Sequence, residues 1–382
     1  MRSNNVHDIV VAIPARNEAA RIGDCLRAVA LQQGTDRAAI VVLLNNCTDG
    51  SADMVRALLP QLPCPVHVVE HAFPAERANA GHARRLAMRR GADLLRPGGV
   101  LLTTDADGRV APDWIEANLA AIAAGADVVC GRAVIDPVEA ALIPAHLHAD
   151  DELECAYGDL LDEIHALFDP DPADPWPRHT EHSGASIAVR RELFVRAGGV
   201  PAVPLGEDRA LLSALRQVDA RIRHAPEVAV TVSGRLDGRA AGGMADTMRR
   251  RVVHQDPTLD DRLEPAADCA RRAKARAALR ALWEKPDPAA IRALAVDLGQ
   301  PARRLAAWVR RRYFGAAWAD VEATSPALVR RPVARRDVTV QMNAAEDILA
   351  AGFSRLRPDG AAEHRADRMA PVPARSPQDL KR

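Results

Sequence analysis

Short apolar runs that alternate with helical patterns most constrain what this chain can fold into. Ile9-Val10-Val11-Ala12-Ile13 is closed by Pro14 and followed by Ala15-Arg16-Asn17-Glu18, after which Ile22, Leu26, Val29 and Ala30 recur at helical spacing. The unit returns at Ile40-Val41-Val42-Leu43-Leu44, which ends in Asn45-Asn46-Cys47-Thr48-Asp49-Gly50-Ser51 before a helix carrying Met54, Val55, Leu58 and Leu59. A third run, Val66-His67-Val68-Val69, precedes a loop and a helix over residues 78–91. A fourth run covers 100–104, and a helix starting near Pro112 leads to a strand within 127–132. This spacing predicts an α/β fold: a Rossmann-like, mostly parallel sheet with helices on both faces. Ligands of such sheets bind outside the carboxyl ends of the strands, so the loops 14–18, 45–51, 73–84 and 104–109 are expected to converge on one edge.

Residues 137–180 break the alternation. Leu153, Tyr157, Leu160, Leu161, Ile164, Leu167 and Phe168 mark a long amphipathic helix, and the Pro-rich stretch 169–177 reads as an exposed, stiff loop. Such an insertion serves as a lid, an acceptor contact or a structural cover. The sheet pattern resumes at 183–189, with a helix from Arg191. Gly206-Glu207-Asp208-Arg209 opens a further helix, and a last strand over 228–232 ends at Ser233-Gly234-Arg235. From about Ala240 the pattern is helical and Arg-rich, and beyond about Arg355 low hydrophobicity and scattered prolines predict a disordered tail.

With 51 basic and 51 acidic side chains the chain has no global field, which argues against nucleic acid and anionic membrane surfaces as partners. Any anionic ligand must be held locally. Six cysteines show no C-x-x-C pair or zinc spacing and read as small core residues in a reducing cytoplasm. The N-terminus lacks a signal pattern, and no run approaches the roughly 18 to 20 apolar residues that span a bilayer, so a cytoplasmic protein without integral membrane association is expected. Neither G-x-G-x-x-G nor G-x-x-x-x-G-K-[ST] is present, so phosphate must be neutralised in another way.

The fourth run drives straight into Asp105-Ala106-Asp107-Gly108. Residues i and i+2 of an extended segment point the same way, so both carboxylates can face one hard cation; a simple Asp-Gly turn is the alternative. Glu207 and Asp208 at a helix start suit either an anionic catalytic pair or plain capping. His179, His182 and Ser183 precede the strand flanking them and are candidates to touch an acceptor.

Over about residues 8–235 the arrangement resembles family-2 glycosyltransferases with the GT-A fold. The pieces that carry the resemblance are Ile13-Pro14-Ala15-Arg16-Asn17-Glu18, the 45–51 loop, Ala80-Gly81-His82-Ala83-Arg84, Asp105-Ala106-Asp107 and Gly206-Glu207-Asp208. The resemblance implies a first domain over 1–238, with a nucleotide-sugar half at 1–132, a helical insertion at 137–180 and an acceptor half at 181–238. A helical extension over 239–354 and the tail 355–382 follow. It also implies roles. Pro14, Ala15 and Glu18 hold the nucleoside, Asn45, Asn46 and Asp49 stand where the family usually carries an aspartate pair against the base, and Gly81 and Arg84 meet the phosphates or lie beneath them. Asp107 and Asp105 hold Mg²⁺ or Mn²⁺ against the diphosphate, Asp105 also reaching toward ribose. Asp208, with Glu207 beside it, is the general base. A third metal ligand, often histidine, is implied just after the last strand, where this chain has Ser233-Gly234-Arg235; His254 is the nearest later histidine.

The implied activity is transfer of one sugar from a UDP- or GDP-linked donor to an acceptor hydroxyl, by inversion. A retaining course like that of glycosyl-phosphoglycerate synthases, a nucleotidyltransferase and a non-catalytic sugar-nucleotide binding protein are the alternatives. The processive Q-x-x-R-W signature is absent, which points to a soluble or peripheral small-molecule or glycan acceptor; self-association is left open.

Overall fold

The computed structural model describes residues 7–32, 38–238 and 242–356. Among these, eight strands form one sheet: β1 His7–Ala15, β2 Ala38–Asn45, β3 Val66–His71, β4 Leu95–Thr103, β5 Arg109–Val110, β6 Val128–Ile135, β7 Ile187–Arg190 and β8 Ile222–Val232. The helices are α1 Ile22–Ala30, α2 Ser51–Leu58, α3 Ala80–Leu94, α4 Trp114–Ala123, α5 Pro137–Ala140, α6 Ala145–Phe168, α7 Arg191–Arg196, α8 Glu207–Arg216, α9 Met244–Val253, α10 Ala266–Glu284, α11 Pro288–Asp297, α12 Ala302–Trp308, α13 Phe314–Thr324 and α14 Val338–Leu356. The expected tail lies, from residue 357 on, outside the described residues.

The chain divides into two compact units, Met1–Ile143 with Arg178–Arg250 and Pro144–Pro177 with Arg251–Arg382. This differs from the expected division. Of the segment 137–180 read as an insertion, residues 144–177 group with the C-terminal helices, whereas 137–143 and 178–180 stay in the first unit.

In the first unit the strand order is β3-β2-β1-β4-β7-β6-β8-β5. The pairs β1–β2, β1–β4, β2–β3 and β6–β8 are parallel, whereas β7 runs antiparallel to both β4 and β6, and β5 antiparallel to β8. The expected mostly parallel α/β sheet is therefore present. Two successive antiparallel steps restore direction, so β6 and β8 run the same way as β4. The carboxyl ends of β1, β2, β4, β6 and β8 thus share one edge with the amino end of β7.

The apolar runs are buried on both faces, as a period of two requires. Ile9, Val11 and Ile13 pack with α1, α2 and α4, whereas Val10 and Ala12 pack with α3, α7 and α8. Each fully buried Val, Leu or Ile of these runs contributes about 1.5–3 kcal/mol of transfer free energy. β1 continues through Pro14 to Ala15, one residue further than the proline suggests. Its pairing with β4 has ended at Ala12 opposite Thr103, so Pro14 has only β2 beside it and its missing N–H is tolerated.

In the second unit α6 buries Tyr157, Leu161 and Ile164 against residues of α10 and α14, including Cys269, Ala270, Val338 and Leu349. Tyr157 Oη donates to the Glu264 carbonyl at 2.7 Å. The stretch after α6 is not simply exposed: Asp169 and Asp174 are buried, and Asp169 is held by Arg276 and Arg280. The Arg-rich composition of the C-terminal helices has a local cause here. Arg335 pairs with Asp150, Arg251 with Glu154, and the fully enclosed Arg272 with Glu264 at 2.8 Å and Glu322 at 2.8 Å. A buried guanidinium needs such partners to offset desolvation.

None of the six cysteines is in a disulfide; Cys25, Cys130 and Cys269 are buried, but Cys155 is exposed, contrary to a uniform core reading. No helix among the described residues is long and apolar enough to cross a membrane.

Candidate active site

The loops that follow β1, β2 and β4, the turn before β7, the start of α8 and the segment after β8 meet at the shared sheet edge. Arg84 is the hub. Carried on α3 and 4% exposed, it donates from Nε to Glu207 Oε1 at 2.9 Å, from Nη1 to Thr103 Oγ1 and the Gly184 carbonyl at 2.8 Å each, and from Nη2 to Asp105 Oδ1 at 2.5 Å. Burial opposes its charge, but the carboxylates of Asp105 and Glu207 outweigh that and hold it ionised. Arg84 thus gives four hydrogen bonds to the protein, and its charge lies between Asp105 and Glu207. Glu207, likewise buried, serves that pairing. Neighbouring Arg85 is not merely a solvated side chain, since it donates to the Val200 carbonyl, whereas Arg89 and Arg90 are exposed.

Gly81 lies beneath this hub rather than against open space. A Cβ there would stand 1.9 Å from the Val203 carbonyl oxygen, in the loop that leads into α8. Gly81→Ala is expected to destabilise the protein by about 1–3 kcal/mol, because backbone cannot retreat from the methyl, despite the roughly 1 kcal/mol by which alanine favours a helix. Equilibrium denaturation reads this, and an unchanged midpoint would refute the close approach.

Asp208 sits in the first turn of α8, where Gly206 takes a left-handed φ of 70°. Its Oδ2 accepts from the Gly184 N–H at 3.1 Å and Oδ1 from the Arg209 N–H at 2.7 Å. Burial raises its pKa above the usual carboxylate value. The Arg209 amide and the Arg84 charge pull the other way without cancelling it.

Asp107 is drawn to the end of β8 by β5, a two-residue strand that pairs Arg109 with Thr231 and Val110 with Val230. Arg235, just past β8, thereby reaches both Asp107 Oδ2 at 3.1 Å and the buried carboxylate of Glu18, with Nη1 to Oε2 at 2.6 Å and a second bond from Nη2 to Oε1. Burial, then the nearby charge of Asp105, pushes Asp107 up to about 6, against the pull of Arg235. The Cys25 thiol is held protonated by burial and by Asp107, Asp105 and Glu18, and it donates to the Asp105 carbonyl at 3.3 Å.

The remaining expected site residues are placed as follows. Pro14 and Ala15 end β1. Asn45 is buried, donates to the Asn79 carbonyl at 3.3 Å, and has no hydrogen-bond partner at Oδ1. Asn46, at a left-handed φ of 48°, clamps the Phe73 backbone through both ends of its amide at 2.9 Å. Asp49 ties the first two loops together, accepting from the Ala19 N–H at 3.0 Å and from Ser51. Although burial opposes it, these hydrogen bonds leave its pKa low. Asn46 and Asp49 thus shape the loops. His179, His182 and His224 stack edge to face or tilted, at centroid separations of 5.6 and 5.4 Å. His254 is exposed in the second unit.

The donor set fits a hard dication. Glu18, Asp105, Asp107, Glu207 and Asp208 are five carboxylates against the two guanidiniums Arg84 and Arg235, and the pKa of Asp107 is raised first by burial and then by the neighbouring charges of Asp105 and Glu18. Among the described residues the group of three close potential ligands is His165, Glu264 and Cys269 in the second unit, with Glu264 already taken by Arg272; no such trio encloses a position at Asp107.

Residues 10–194 match the family model described as Glycosyl transferase family 2. This stretch is a family-2 glycosyltransferase domain. Most of β1, all of β2 to β7, Asp105, Asp107 and Arg84 lie within it, whereas Asp208 and Arg235 lie beyond the matched stretch. The chain is also similar to the mannosyltransferase PcManGT from Pyrobaculum calidifontis in complex with GDP-Man and Mn²⁺, at 19% identity over 92% of this chain and 88% of that one, with a TM-score of 0.44. It is similar to S. aureus TarS 1-349 in complex with UDP-GlcNAc, at 14% identity over 92% of each chain and a TM-score of 0.46. No curated protein sequence matches the chain.

Sequence reasoning missed β5, the Glu18–Arg235–Asp107 contact and the donation from Cys25. Only Arg235 left a signal, as a basic residue where the resemblance implies histidine.

Proposed function

We propose that this glycosyltransferase moves one sugar from a UDP- or GDP-linked donor to an acceptor hydroxyl, with inversion and with Asp208 as general base. The observation that carries this is the convergence of Asp105, Asp107 and Asp208 on one edge of the family-2 sheet, with Arg84 spanning from Asp105 to the start of α8. Asp107 and Asp105 would hold Mg²⁺ or Mn²⁺. When bound, such an ion neutralises charge developing on the departing diphosphate.

The protein's own part is to orient and to take a proton. Asp208 accepts the acceptor hydroxyl proton as that oxygen bonds to the anomeric carbon, while the anomeric C–O bond to the diphosphate breaks and its electron pair leaves with the nucleoside diphosphate. Gly184 and Arg209 hold the carboxylate in one orientation through their N–H groups. Glu18 and the backbone of the first loop position the nucleoside, with the orphaned Asn45 Oδ1 and the shaped 45–51 loop beside them.

A thermal-shift screen of nucleoside diphosphates with and without Mn²⁺ tests the reading. UDP or GDP at a hundredfold excess over its Kd in Mn²⁺ is expected to stabilise the protein by about 2.7 kcal/mol, and the same concentration without Mn²⁺ by less. Absence of a metal-dependent shift for every nucleoside diphosphate would sink it.

A further inference from the structure

We infer that Arg235 couples the two halves of the donor site: it holds Asp107 when no donor is bound, and turns to the phosphate oxygens of a nucleoside diphosphate when Asp107 takes up the cation. The inference rests on the glycosyl-transfer reading and assigns a residue that the family-2 match does not cover.

Three observations lead to it. The backbone that carries Arg235 is locked, because Glu139 accepts from the Gly234 N–H at 2.6 Å and from Ser233 Oγ at 2.9 Å, and Arg21 in turn grips Glu139 at 2.7 Å. Gly234 is packed so closely that a Cβ would stand 2.7 Å from Ile135. The side chain is then the part of this segment left to move. Next, the guanidinium forks onto Glu18, which anchors it, and touches Asp107 through Nη2 alone at 3.1 Å, so the second contact is broken without the first. Finally, the contact spends Asp107 Oδ2 on Arg235, and a dication taken up there would stand beside that guanidinium, so the two positive charges weaken each other's hold on the carboxylate. A diphosphate removes that conflict. It brings the oxygens to which an arginine fork is suited, and it offers a cation at Asp107 further oxygen ligands.

Metal and nucleotide are therefore expected to bind together and each poorly alone. The test measures Mn²⁺ binding by electron paramagnetic resonance on nucleotide-free protein, and UDP and GDP binding by calorimetry in EDTA and in Mn²⁺, for wild type, R235Q and R235K. In R235Q the competing cation is gone, so Mn²⁺ alone should bind about tenfold tighter, while the nucleotide in Mn²⁺ binds about ten- to a hundredfold weaker. R235K keeps a charge beside Glu18 but lacks the fork, and should recover part of the nucleotide affinity; it also carries the comparison should R235Q fail to fold. Nucleotide affinity in Mn²⁺ equal to wild type in R235Q, or in R235K if that is the variant that folds, overturns the inference alone, as does Mn²⁺ binding to R235Q that is unchanged or weaker. A wild-type protein that binds neither UDP nor GDP overturns the glycosyl-transfer reading itself, and this inference with it.

Discussion

Replacing Arg84 by methionine is expected to lower the unfolding free energy by about 3–5 kcal/mol, the range for removing one partner of a buried ionic network. Methionine fills much of the volume, so the loss is electrostatic rather than a cavity. It leaves Glu207 enclosed without a cation, and it strips the Gly184 carbonyl and Thr103 Oγ1 of a donor each. Thr103 keeps its own bond to the Ala12 carbonyl at 2.8 Å, so the strand ends should hold while the start of α8 loosens. Chemical denaturation measures the effect. A loss below about 1 kcal/mol, the figure for an exposed pair, would mean that Arg84 is not the hub. Arg84→Lys should fall between the two, because one ammonium cannot meet acceptors in four directions.

Asp208→Asn is expected to cut kcat by about a hundred- to ten-thousandfold while leaving nucleotide affinity near the wild-type value. The amide oxygen can still accept from the Gly184 N–H, whereas the amide NH2 cannot accept from the Arg209 N–H, so one of the two orienting bonds goes together with the basic oxygen. Unchanged turnover would exclude Asp208 as the base. The pH dependence gives a second reading. A base works when deprotonated, and burial holds the Asp208 pKa above the ordinary carboxylate value. The wild-type rate should therefore fall with decreasing pH at a higher pH than a solvent-exposed aspartate would give, and the residual rate of the Asn variant should lack that limb. Steady-state kinetics across pH, with donor saturating, would show both.

Much of the architecture was legible because burial on both faces leaves an unambiguous mark. The runs at Ile9, Ile40 and Val100 are apolar at successive positions, which an exposed strand is not, and the helices between them follow from their spacing. The edge on which the loops converge followed from parallel pairing alone. The division into units was less legible: α6 is amphipathic whether it covers the sheet or packs with α10 and α14, and a helical stripe does not name its partner. The two-residue β5 carries no periodicity at all.

For the site, the sequence by itself supplied the candidates: two carboxylates spaced i, i+2 at a strand end, an acidic pair at a helix start, and a basic residue three positions after Gly81. Local composition is enough for that, since donor and acceptor types belong to the residue. Only the tertiary structure decided how those charges are apportioned. Arg84 comes from α3, Glu207 from α8 and Asp105 from the end of β4, and their pairing depends on a glycine that lets the loop at Val203 approach to contact. Glu18 and Arg235 lie 217 residues apart in the chain and form a buried pair because β1 and β8 end on the same edge. Coulomb interaction depends on distance and burial, and neither is a property of the residues taken in order.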